Sequence, residues 1–169
     1  PNFNMSNTGT VRFNPNLYST GKVCLSILGT YSGPNPDSSE RWNPIASTLY
    51  QVLISIQSQI LIEDPYFNEP GHERAFGTND GTSISKEYNN RIRLYTMKYA
   101  MLDLLIKPDT YPEFTDVIKL HFLHKRDRIL TQCTKWVKDA ETYMNQTSGR
   151  WKYSYEDRYT SFKDIYDDY

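Results

Sequence analysis

Five apolar residues, Leu49, Val52, Leu53, Ile56 and Ile60, lie between Pro44 and Pro65 at helical spacing. Such a pattern places one apolar stripe on a helix, whereas a strand would show alternation. Asn43-Pro44 offers a side-chain cap and a proline suited to the first helical position, so the helix is predicted to open there. It must end before Pro65, because the residue preceding a proline is biased away from helix.

The flanking pieces follow from the same reasoning. Residues 10–18 alternate loosely and run into a proline turn, which predicts a strand feeding an irregular loop. The short apolar run Val23 to Leu28 fits either a strand or one helical turn. Residues 29–41 are rich in Gly, Pro, Ser and Asp and read as a loop, as do residues 63–82. A second helix is predicted from about Ser85 to Ile106, ended by Pro108, with Ile92, Tyr95, Tyr99, Leu102 and Ile106 at its apolar positions. A third starts near Pro112 and carries a long stripe from Phe114 and Val117 through Ile129, Cys133, Trp136, Val137 and Ala140 to Met144. Cys133 lies on that stripe and reads as a core residue. Residues 149–169 mix aromatics with charges, as a final helix or a tail.

The 169 residues suffice for one domain with a substantial core. Lys and Arg number 19 against 20 Asp and Glu, without a basic stripe, so nucleic acid is not an expected partner. The run Lys125-Arg126-Asp127-Arg128 reads as the solvated face of a helix. No apolar run reaches the roughly 18 residues of a membrane span. Cys24 and Cys133 lie far apart with no Cys-x-x-Cys spacing, which speaks against structural zinc and a disulfide framework. A reducing compartment, cytosol or nucleus, is the expected location.

Cys24 is the residue with the most chemistry to offer. It follows the turn Asn14-Pro15-Asn16 within Gly21-Lys22-Val23-Cys24-Leu25-Ser26-Ile27-Leu28. A positioned thiol is a candidate covalent nucleophile. Asn16 carries a side-chain amide able to donate to an oxyanion forming near that sulfur. By spacing alone, Cys24 reads equally as a small buried apolar residue, and Asn16 as a turn residue bonding its own backbone.

The order of these pieces resembles the ubiquitin-conjugating (E2) enzymes. Their signature is His-Pro-Asn, then a Gly and Ile/Val-Cys-Leu, then Trp-x-Pro opening the helix after the cysteine. It is carried here by Val11 to Tyr18, Gly21 to Thr30, Trp42-Asn43-Pro44, Gln51 to Ser58 and Pro65 to Gly71, with weaker similarity through Trp136. More particularly, the chain resembles the giant hybrid branch, in which conjugating enzyme and ligase share one polypeptide. The resemblance implies an α+β fold, the C-terminal part of a ubiquitin-conjugating (UBC) fold. A last strand and active-site loop would be followed by three main helices, with residues 1–145 as a partial catalytic domain and 146–169 as a C-terminal helix or tail. It implies that Cys24 takes ubiquitin from an activating enzyme as a thioester and yields it to a substrate lysine, with a ubiquitin ligase as a further partner and no cofactor or metal. Asn16 takes the family's oxyanion or loop-supporting role. Glu69, or else Asn68 or Asp64, falls where an acidic residue positions the acceptor lysine, and Trp42 falls on a packing tryptophan.

Four departures from the family pattern matter. The usual His is Asn14 here, at a position that is mainly structural. The usual acidic residue two after the cysteine is Ser26, so any influence of that acid on the thiol is absent. The loop between Cys24 and Trp42 is longer than in minimal members. Pro1 corresponds to the start of the last strand, so the first helix and earlier strands are expected to be absent, and poor charging of the chain alone is the expectation. Three other readings stand beside this one: a noncatalytic ubiquitin-binding variant of the fold; a cysteine hydrolase pairing Cys24 with His72, His121 or His124; and a helical interaction module built on residues 112–145.

Overall fold

A computed structural model describes residues 11–30 and 41–146. The expectations for residues 1–10, for most of the 29–41 loop and for the 147–169 tail lie outside these. The chain divides into two compact units, Pro1–Asn89 and Asn90–Tyr169.

In the first unit, residues 11–24 form an extended loop closed on itself, not the predicted strand. Its cross-links are two isolated bridges, Asn14 with Leu17 and Leu17 with Val23. Among the described residues there is no strand. The ambiguous apolar run divides: Val23 joins a bridge, while Ser26–Leu28 makes a single 3-10 turn. Helix α1 spans Leu49–Ser55 and widens into a π-helical turn, Ile56–Ile60. It opens later than Asn43-Pro44 because Thr48 and Gln51 form a capping box, each side chain bonded to the other's backbone N–H. Asn43 instead caps a separate turn, its side-chain oxygen accepting from Ile45 and Ala46 N–H. Of the α1 stripe, Val52 and Ile60 are buried, whereas Leu49 is 70% exposed. Pro65–Asn68 and His72–Ala75 are 3-10 turns.

Helix α2 spans Asn79–Tyr95 and begins six residues before the predicted start. The side chain of Thr78 caps it, accepting from Gly81 N–H at 3.0 Å. Gly81 also permits a close approach, since a Cβ there would lie 2.1 Å from the Ala75 carbonyl oxygen. A polar knot lies inside this unit. Asp64 Oδ1 accepts from Ser85 Oγ at 2.8 Å and Asn89 Nδ2 at 3.0 Å, and Asn89 also donates to the Glu63 carbonyl.

In the second unit, α2 passes into a π-helical segment, Thr96–Leu102, and then α3, Asp103–Ile106. The wide turn changes the helical phase. The buried residues are therefore Leu94, Met97 and Leu105, while Ile106, expected inside, is exposed. Helix α4 spans Thr115–Gln146. Phe122, Cys133 and Ala140 of α4 join Leu94, Met97 and Leu105 in one core cluster. The first turns of the α4 stripe, Phe114 and Val117, are exposed, so its burial runs along only part of the helix. Lys125 to Arg128 are exposed as predicted. Among the described residues no helix is long and apolar enough to cross a membrane.

Cys133 is fully buried, and loss of water around it pushes its thiol up to about 11 from 9.0. Below 9.0 the thiol is protonated in folded and unfolded chains alike; above it the unfolded chain gives up the proton first. Stability is therefore expected to fall as pH rises from 9.0 towards 11, by an amount on the order of 2 kcal/mol. Denaturant titrations across this window should show a shallower fall for Cys133→Ala than for the wild type; equal slopes would refute the assignment.

Candidate active site

Cys24 is held by its neighbours more than by its own burial. Val23 and Leu25 are 3% and 2% exposed, and the extended backbone turns the residue between them to the opposite side. Cys24 itself is half-buried and not disulfide-bonded. The reading of Cys24 as a closed core residue therefore loses to one in which its flanks are the core and its thiol sits at the edge.

Asn16 grips Cys24 from both directions. Its carbonyl accepts from Cys24 N–H at 2.8 Å, and its Nδ2 donates to the Cys24 carbonyl at 2.9 Å. In this state the amide serves the loop and is not aimed at the sulfur. Behind it stands Asn14, 2% exposed. Asn14 Oδ1 accepts from Asn16 N–H at 2.7 Å, and its Nδ2 donates to the Ile60 carbonyl at the end of the π-helical turn at 2.8 Å. Asn68 Nδ2 donates to the Gln59 carbonyl at 2.9 Å and lies 3.4 Å from Asn14 Oδ1. A chain of amides thus runs from the loop after α1 to the backbone of the cysteine. Asn14→Ala leaves Asn16 N–H and the Ile60 carbonyl without these partners, so a loss of about 2 to 4 kcal/mol in stability is expected. A lower denaturant midpoint at unchanged slope would show it; an unaltered midpoint would refute it.

Glu69 stands on the expected loop, but its carboxylate is engaged. Arg12 Nη2 lies 3.1 Å from Glu69 Oε2, with both side chains well exposed. Arg12 also donates through Nε and Nη2 to the Pro15 carbonyl and covers the Tyr18 ring at 4.5 Å. Sequence reasoning missed this partner because 57 positions separate the two residues. Asp64 is committed to the Ser85 and Asn89 knot, and Trp42, expected to pack, is 45% exposed. The π face of His72 stacks on Tyr66 at 4.3 Å, and its Nδ1 lies 3.2 Å from the Tyr66 carbonyl. His121 and His124 are exposed on α4. Within the first unit the hydrogen bonds of His72 and of Cys24 run to the Tyr66 and Thr30 carbonyls and not to each other. Among the described residues no cluster of three His, Cys, Asp or Glu is placed to hold a metal ion.

The second residue missed in sequence is Thr30, read there as the start of a loop. Cys24 Sγ donates to the Thr30 carbonyl at 2.9 Å. Thr30 Oγ1 donates to the Val23 carbonyl at 2.6 Å and accepts from Leu25 N–H at 3.0 Å.

Residues 3–96 match the family model of ubiquitin-conjugating enzymes. Over 145 residues, 85% of this chain, it is 51% identical to the dual E2 ubiquitin-conjugating enzyme/E3 ubiquitin-protein ligase BIRC6 of Homo sapiens, covering 3% of that protein. It is 50% identical over 138 residues, 82% of this chain, to "Probable ubiquitin-conjugating enzyme protein 17" of Caenorhabditis elegans, covering 18% of it. It is 43% identical over 133 residues, 79% of this chain, to "Probable ubiquitin-conjugating enzyme E2 25" of Arabidopsis thaliana, covering 21%. The chain therefore spans a small part of the length of the relatives it matches. With the cysteine loop on a helix-bearing unit and a family match across it, the chain belongs to the ubiquitin-conjugating enzymes.

Proposed function

We propose that this chain carries ubiquitin as a thioester on Cys24 and transfers it to a lysine of a protein substrate. The observation that carries this reading is the two-way grip of Asn16 on Cys24 between buried Val23 and Leu25. Cys24 Sγ attacks the thioester carbonyl carbon of ubiquitin held by its activating enzyme. The new S–C bond forms, the activating enzyme leaves as a thiolate, and the Cys24 proton passes to solvent. A neutral lysine amine then attacks the same carbon and the N–C bond forms. The tetrahedral oxyanion collapses with departure of the Cys24 thiolate, and the proton shed by the amine passes through solvent. Asn16 supports the loop and turns its amide to the oxyanion in the transition state. Glu69 receives the acceptor lysine by exchanging Arg12 for it. An exposed pair of this kind is worth only about 0–1 kcal/mol, so the exchange costs little. The same reading includes the α+β class, a ligase partner and a cytosolic or nuclear setting, in keeping with two free thiols. Incubation of the full-length protein with activating enzyme, ATP and ubiquitin tests it: a thiol-sensitive adduct that Cys24→Ser removes supports the proposal, and a full-length protein that forms no such adduct overturns it.

A second reading, a helical interaction module, draws on Phe114, Val117, Leu120 and Leu123, which are exposed at or near the start of α4. Binding of that kind survives Cys24→Ser in a pull-down, whereas conjugation does not.

A further inference from the structure

We propose that Thr30 is the positioning residue of the nucleophile: it fixes the backbone on both sides of Cys24 and holds the free thiol until ubiquitin is loaded. This rests on the reading of Cys24 as the thioester nucleophile. One oxygen atom does the first task. Thr30 Oγ1 donates to the carbonyl before Cys24 and accepts from the N–H after it, so both peptide groups flanking the reactive residue are tied to one side chain. Thr30 N–H adds a bond to the Leu25 carbonyl at 3.3 Å. A β-branched residue suits this task because its χ1 is stiff. Gly29 makes the return possible. Its φ of +64° lies in the left-handed region, which turns the chain back after Ser26–Leu28 and lays Thr30 against the cysteine.

The main chain of Thr30 does the second task. Its carbonyl accepts the Cys24 S–H, a contact that requires the proton on the sulfur. When the S–H proton leaves and the S–C bond forms, the sulfur has no donor left to offer. The thioester is thereby released from Thr30, while the Oγ1 clamp, which does not involve sulfur, stays closed. Thr30 thus has a contact specific to the uncharged state and a clamp common to both states.

The test uses Thr30→Val, which keeps the β-branched shape but loses the hydroxyl, and Thr30→Ser, which keeps the hydroxyl. Iodoacetamide labelling followed by peptide mapping reads Cys24 without ubiquitin machinery. Protection of buried Cys133 reports that the core of the second unit is intact, and the Thr30→Ser variant controls for the fold of the first. Thr30→Val is expected to label at Cys24 about fivefold faster than the wild type, with Thr30→Ser within about twofold of it. In charging assays at saturating activating enzyme, Thr30→Val should lower the turnover about fivefold at unchanged KM, and Thr30→Ser should restore it. Equal labelling of wild type and Thr30→Val, or a Thr30→Ser variant as altered as Thr30→Val, overturns the proposal. If no form of the full-length protein charges, the conjugation reading fails, and the labelling arm still decides the role of Thr30.

Discussion

Cys24→Ser is expected to abolish thiol-labile charging with ubiquitin in the full chain. A serine hydroxyl in the same place remains able to donate to the Thr30 carbonyl, so the loop is preserved while the nucleophile is lost. The loss should be on the order of 10³-fold or more, the scale on which removing a nucleophile acts in other covalent enzymes. Any residual adduct would be an oxyester, which withstands thiol reductants that cleave a thioester. Cys133→Ser is the matching control, since that thiol is enclosed by core residues and out of reach of an acyl donor. A thiol-sensitive adduct that persists in Cys24→Ser and disappears in Cys133→Ser would reverse the assignment of the two cysteines.

Asn16→Ala separates two roles by magnitude. If the amide only supports the loop, its removal costs one partly exposed hydrogen bond, about 1 kcal/mol, or roughly a tenfold change at most. If it turns to the oxyanion, the cost is about 10² to 10³ in rate. The expected result is the larger one, read as single-turnover discharge of the preloaded protein to free lysine. Iodoacetamide labelling of Cys24, which passes through no oxyanion, should change much less. Discharge within tenfold of the wild type would confine Asn16 to the loop.

What could be read in the sequence was local, and what could not was set by distant partners. Cys24 and Asn16 were legible because a thiol and an amide eight positions apart belong to one loop. Cys133 was legible because its stripe has helical period, and it is fully buried. The start of α1 was misplaced because Asn43-Pro44 is a cap signal as well as a turn signal, and the reciprocal Thr48 and Gln51 box outweighs it. The inward face of the second helix was misassigned because a π-helical segment breaks the 3.6-residue period from which the face was read. The Arg12 and Glu69 pair and the Asn14 to Ile60 bond leave no trace in spacing, since each joins residues with no shared local pattern. Thr30 was hidden by composition, as a threonine at the head of a Gly- and Pro-rich stretch reads as loop.

The Asn14 side chain has a consequence for what may be moved between proteins. It spans 46 positions to reach the Ile60 carbonyl, and Asn68 reaches it from 54 positions away. A graft of residues 11–30 alone would carry the thiol, the Asn16 grip and the Thr30 clamp. It would leave behind the carbonyl against which the whole loop is braced. The nucleophile loop is therefore not a portable cassette, because its brace reaches to the end of the π-helical turn and to the Pro65–Asn68 turn.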